Sequence, residues 1–84
     1  MENVLAYYLL NLIEKNHRNP LTYNQINQLT VHALSDIEVE NFTNEMLRLQ
    51  QENLILCEDV VRLTFSGKVI LDRHHKKQQL KSLD

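Results

Sequence analysis

The chain carries a helical hydrophobic period over most of its length and a strand-like run in one short stretch. In residues 2–16, Val4, Leu5, Tyr8, Leu9, Leu12 and Ile13 recur at i, i+3 and i+4, the spacing that lines one face of a helix. Ala6 and Leu10 widen that face to an arc of roughly 240°, about twice what a surface helix needs. The excess must be covered, either by a C-terminal helix or by a second copy of the chain. A homodimer of that kind would use Ala6, Tyr7, Leu10, Leu80 and Leu83, with Tyr7 on the more polar side of the helix. His17-Arg18-Asn19-Pro20 ends the first helix, because Pro20 disfavours helical geometry at Asn19.

The next two helices share one start signal. Thr22 and Gln25 have the spacing of a capping box, and Leu21 and Ile26 that of a hydrophobic staple, so a short helix is expected over residues 23–31 with Ile26 and Leu29 inward. Val31-His32-Ala33 reads as a turn or as the end of that helix. Ser35 with Glu38, and Leu34 with Val39, repeat the pair of devices and open a third helix over residues 36–52. Its inward stripe is Val39, Phe42, Met46, Leu49 and Asn53, with Asn53 also the stop signal. The β-rich runs at 54–57 and 60–64, split by the acidic turn Glu58-Asp59, predict a hairpin. Thr64 then caps a fourth helix over residues 65–81, with Val69 and Ile70 inward. Its apolar stripe lapses across 73–79 and resumes at Leu80, so residues 1–73 read as the domain and 74–84 as a basic helix end or frayed tail.

Composition narrows the class without changing this picture. Eighty-four residues make one domain, and a chain this short buries only about three-fifths of its unfolded surface. One glycine and one proline favour helices with short connections over a disordered chain. The single cysteine, Cys57, excludes an internal disulfide and suits a reducing compartment. The opening MENVLAYYLLNLIEKN has no basic leader and is too short to span a bilayer, so the expectation is a cytoplasmic protein without a membrane partner.

Charge does change the picture. Residues 35–59 hold Asp36, Glu38, Glu40, Glu45, Glu52, Glu58 and Asp59 against Arg48 alone, net −6. Residues 60–84 hold Arg62, Lys68, Arg73, Lys76, Lys77 and Lys81 against Asp72 and Asp84, net +4. The middle is acidic and the end basic.

Three passages carry a family resemblance: Leu21-Thr22 entering the second helix, the stretch from Met46 to Ile55, and Val61-Arg62-Leu63-Thr64-Phe65-Ser66-Gly67-Lys68. Together they resemble the winged helix-turn-helix domains of small bacterial transcription regulators, over nearly the whole chain. The resemblance implies a mainly α fold with a β-hairpin wing. Asn53 stands where that family often has glycine, and either residue leaves a helix with positive φ. In the family the third helix enters the DNA major groove and the hairpin tip approaches the backbone or minor groove. Carried over, the contacting residues here would be Glu38, Asn41, Asn44, Glu45, Arg48 and Gln51, flanked by Arg62 and Lys68. Asn and Gln read adenine and Arg reads guanine.

The acidic middle is poorly matched to a polyanion, since duplex affinity comes largely from cations neutralising phosphates. Asp36 and Glu38 have a simple alternative role in complementing the helix dipole, but Glu45, Glu58 and Asp59 do not. The expectation is a DNA-binding transcription regulator, dimeric through helices one and four; the alternative is a winged-helix module docking another protein through its acidic third helix and wing. The first requires Arg62, Lys68, Arg73 and Lys76 to form one stripe beside Asn41, Asn44 and Arg48; their separation favours the second.

Other chemistry has little support. The chain has no nucleophile elbow, phosphate loop, HExxH or cysteine pair, so neither an enzyme nor a cofactor is expected. His74 and His75 point about 100° apart on a helix, and no second ligand pair accompanies them, so no metal site is expected. The run from Arg73 to Lys81 is more simply a solvated helix end than a phosphate grip. His17 and His32 read as surface or capping groups, and Cys57 as a small hydrophobe in an apolar strand.

Overall fold

Helix α1 (Val4–Lys15) is the hub of the molecule, in contact with α2 (Tyr23–Ala33), α3 (Val39–Gln51), the second strand of the hairpin β1 (Ile55–Cys57) and β2 (Val61–Leu63), and α4 (Phe65–Ser82). The computed structural model describes residues 4–34 and 39–82, without the side chains of residues 39, 40 and 78–82. Three helices, a hairpin and a closing helix form a mainly α winged helix-turn-helix topology. Among the described residues, no helix is long and apolar enough to cross a membrane.

Four neighbours explain the wide apolar arc of α1. The sealed positions are Ala6, Leu9, Leu10 and Ile13, while Leu5, Tyr7, Tyr8 and Leu12 are half-buried against the core and Val4 is 73% exposed. The buried centre is thus rotated from the stripe at 5, 8, 9 and 12 towards the residues read as excess. That corrects the assignment of Ala6 and Leu10 to a dimer contact, because α4 and α3 cover this side within one chain. Asn16 donates its side-chain amide to the Leu12 carbonyl, and the His17 ring lies 2.9 Å from the Glu14 carbonyl, so α1 ends with side chains closing its orphan carbonyls.

The capping box of α2 is present in both directions. Gln25 N–H donates to Thr22 Oγ1 at 3.2 Å, and Thr22 N–H to Gln25 Oε1 at 2.9 Å. Leu21 and Ile26 both pack on the core. The inward residues are Ile26 and Thr30, whereas Leu29 is 44% exposed, a second correction. Both 29 and 30 fall within a turn of Ile26, and it is the way α2 crosses the core that selects Thr30. Val31 to Ala33 belong to the helix, whose last turn is closed by Leu34 N–H on the Thr30 carbonyl. The proposed cap of α3, Ser35 with Glu38, lies outside the described residues, as does the Val39 side chain of its staple.

Phe42, Met46 and Leu49 are fully buried on α3, and Phe42 meets Tyr23 edge to face at 5.4 Å. Asn53 leaves the helix at φ 59°, in the left-handed region that asparagine tolerates, and is exposed rather than part of the stripe. The hairpin is antiparallel with Ile55 opposite Leu63, Leu56 opposite Arg62 and Cys57 opposite Val61. Ile55 and Val61 enter the core, so Leu56 and Arg62 are left on the outer face of the wing. Val61 N–H also donates to the Leu21 carbonyl, which ties the wing to the segment that starts α2.

Thr64 joins wing and closing helix. Its hydroxyl accepts Gly67 N–H at 3.0 Å and donates to the Asn53 carbonyl. From there α4 runs without a break to Ser82. Among its described residues, Gly67 and Leu71 are sealed and Ile70 is half-buried against the core, while Val69 is only half-buried and is not among the residues packed on it.

Candidate recognition surface

The solvent side of α3 follows from its buried side. With Phe42, Met46 and Leu49 fixed in the core, helical geometry turns Asn41, Thr43, Asn44, Leu47 and Gln51 outward, and all five are exposed. Leu47 is half-exposed at 51% and lies between Asn44 and Gln51 on this face. Sequence reasoning passed over it, although its spacing of three from Asn44 and four to Gln51 was enough to place it there.

Arg48, the lone cation of the acidic segment, is already engaged. Its Nε donates to Glu45 Oε1 at 2.9 Å, and its Nη1 donates to Glu52. These partners sit at i−3 and i+4, where helix geometry brings side chains together. The hydrogen bond to Glu45 and the charges of both carboxylates push the Arg48 pKa above its ordinary value, against a smaller lowering by burial. A bidentate reading of guanine would require breaking this clamp. The wing tip, Glu58 and Asp59, is exposed, and Glu58 N–H donates to the Val60 carbonyl across the turn. Glu38 lies outside the described residues.

Four of the basic residues line two different grooves. Arg62 and Lys68 line a small groove of 180 Å³ with Glu14 and His17 at the end of α1. Arg73 and Lys77 line a larger groove of 580 Å³ between α1, α3 and α4, beside Arg48 and Glu52. Helical geometry puts Lys68 about 160° around α4 from Ile70, but Arg73, His74 and Lys77 within about 60° of it. Lys76, also exposed, falls between them, about 80° from Lys68 and about 60° from Arg73, so α4 carries its cations around a continuous arc although they line two different grooves.

Comparison with protein-family models, with curated proteins and with solved structures found no match to this chain.

Of the residues assigned to a dimer contact, Tyr7 is half-buried and stacks within the chain on His74, with ring centroids 3.7 Å apart and planes 6° from parallel. The pair is separated by most of the sequence, and no local signal announces it. The side chain of Leu80 and the whole of Leu83 lie outside the described residues. Among the described residues, no group of three His, Cys, Asp or Glu side chains is arranged to hold a metal ion.

Cys57 is half-buried, and burial pushes its thiol pKa up. The thiolate is the nucleophile, so alkylation by iodoacetamide at pH 8 should be slower in the folded protein than in the urea-unfolded chain. The folded form holds the thiol proton more tightly. The associated stability is complete below the unfolded thiol pKa and is lost as pH rises through the folded value. Melting curves at pH 8 and pH 10 should show this loss in the wild type and a smaller one in Cys57→Ala. Equal losses in the two proteins would remove Cys57 from the account.

Proposed function

We propose that this chain is a non-catalytic winged-helix interaction module that docks another protein through the outward face of α3 and the adjoining wing. The observation that carries this reading is the pairing of Arg48 with Glu45 and Glu52, beside a face of neutral amides, Thr43 and Leu47. A surface that contacts DNA gains most of its affinity from cations set against phosphates. Here the central arginine is neutralised and the wing tip is acidic. Protein interfaces are assembled differently, from a desolvated apolar centre within a rim of hydrogen-bonding groups. Leu47 supplies the centre, and Asn41, Asn44 and Gln51 supply the rim.

One observation favours DNA as the second reading: Arg73 and Lys77 converge beside Arg48 at the C-terminal end of α3. A single experiment separates the two. Tagged wild type, Asn44→Arg and Lys76→Gln are expressed in the native host, cross-linked and captured, and the same proteins are titrated with random duplex DNA at low and moderate salt. The expected result is a protein captured by wild type and Lys76→Gln but lost from Asn44→Arg, with no salt-dependent duplex shift by the wild type. A wild-type shift that weakens steeply with salt and is reduced by Arg73→Gln would overturn protein docking in favour of DNA.

A further inference from the structure

We propose that the groove between α1, α3 and α4 binds a small organic carboxylate with an apolar body. This site adjoins the docking face along α3, with Arg48 at the edge of both, but it does not depend on that reading. The floor is aliphatic: Ile70 is half-buried and reachable, and beneath it Leu10, Leu49 and Leu54 are sealed into the core. One wall is the flat pair of Tyr7 on α1 and His74 on α4, stacked face to face. At 580 Å³ the space falls within the range that holds small organic ligands.

The charges at the mouth choose the sign of the ligand. Among the described residues, Glu52 is the one carboxylate lining the groove, and it is paired with Arg48, which also holds Glu45. Arg73 and Lys77 are exposed and, among the described residues, form no ion pair. Two cations without an ion-pair partner among the described residues therefore stand over an apolar floor. Arginine presents a planar fork that matches a carboxylate with two parallel hydrogen bonds, and lysine adds a second positive charge. A neutral apolar molecule would leave both cations unanswered, and a bare inorganic anion would leave Ile70 and the Tyr7–His74 wall wet. A ligand with both features answers both surfaces.

The site would also have a structural consequence. Its walls belong to the first and last helices and its floor to the α3–wing junction, so an occupant would bridge the elements that close the domain. Binding to the folded form alone raises apparent stability in proportion to the logarithm of ligand concentration.

The test uses the full chain, labelled with ¹⁵N, and a matched pair of probes, 4-phenylbutyrate and 4-phenylbutan-1-ol. The acid should give saturable shifts at the amides of Tyr7, Leu10, Arg73 and His74. Its affinity should fall at least tenfold in Arg73→Gln and in Lys77→Gln, both changes at exposed positions. Lys68→Gln, on the other flank of α4, should leave it unaltered. The alcohol should bind at least tenfold more weakly than the acid. Equal affinity for acid and alcohol, equal affinity in wild type and Arg73→Gln, or no saturable shift would each overturn the proposal. Groove shifts that track protein concentration rather than added acid would also overturn it, by giving the groove to a second copy of the chain.

Discussion

Gly67→Ala should destabilise the domain by about 3 kcal/mol or more, at the upper end of what over-packing ordinarily costs. A Cβ at this position would stand 2.1 Å from the Leu54 carbonyl oxygen and 3.1 Å from its carbon. Both atoms belong to backbone, so no rotamer change relieves the clash. The Leu54 carbonyl has little room to retreat, since it accepts Thr64 N–H at 3.1 Å while the neighbouring Asn53 carbonyl takes the Thr64 hydroxyl. The first turn of α4 is thus docked on the exit of α3, and the missing side chain is what lets it approach. A domain of this size has roughly 4–13 kcal/mol of stability in all. Each kcal/mol lowers its melting temperature by about 4–8 °C, so a fall of at least about 12 °C is expected by circular dichroism. Ser66→Ala, at the exposed neighbouring position, should melt close to wild type. A Gly67→Ala protein that melts with it would show that α4 does not sit this close.

Leu10→Glu should abolish cooperative folding at neutral pH rather than split a dimer into folded monomers. Leu10 is 1% exposed and faces the groove floor from the most contacted helix. Truncating a buried leucine costs about 2–5 kcal/mol through lost packing alone. A glutamate adds an unpaired carboxylate in an apolar site, a burden proteins avoid by protonation or by unfolding. The expected readout is loss of the helical signal and of a cooperative urea transition. Leu29→Glu serves as the comparison, because Leu29 is 44% exposed and its charge would reach water. A Leu10→Glu protein that keeps its helical signal and sediments as a lighter species than wild type would return Leu10 to an interface.

The same two residues show why some features were legible in advance and others were not. Gly67 lay within a passage whose resemblance already implied a helix start after a strand, and Thr64 was read as its cap. The close approach that makes glycine necessary is a distance to Leu54, thirteen residues earlier, and no local pattern encodes it. Leu10 was correctly read as apolar excess. Whether α4 or a second chain covered that excess depended on the path of a helix whose own apolar residues form no single stripe. For the recognition surface, Asn41, Asn44 and Gln51 followed from the period of α3 once its inward residues were known. The clamp on Arg48 was implicit in the spacing of Glu45 and Glu52, but the commitment of one guanidinium to both carboxylates required the side chains in place.

By itself the sequence determined the elements, their order and their switches: the 3.6-residue period, the Thr22 and Thr64 caps, the Asn53 exit and the acidic turn are all local, and local energetics act on neighbours along the chain. Only the tertiary structure decided which of two nearby residues is sealed, as with the polar Thr30 over Leu29 and Leu71 over Val69. It alone placed Arg62 and Lys68 in one groove and Arg73 and Lys77 in another, and set Tyr7 against His74. Those outcomes depend on how helices cross, and a crossing is fixed by contacts between residues far apart in the chain.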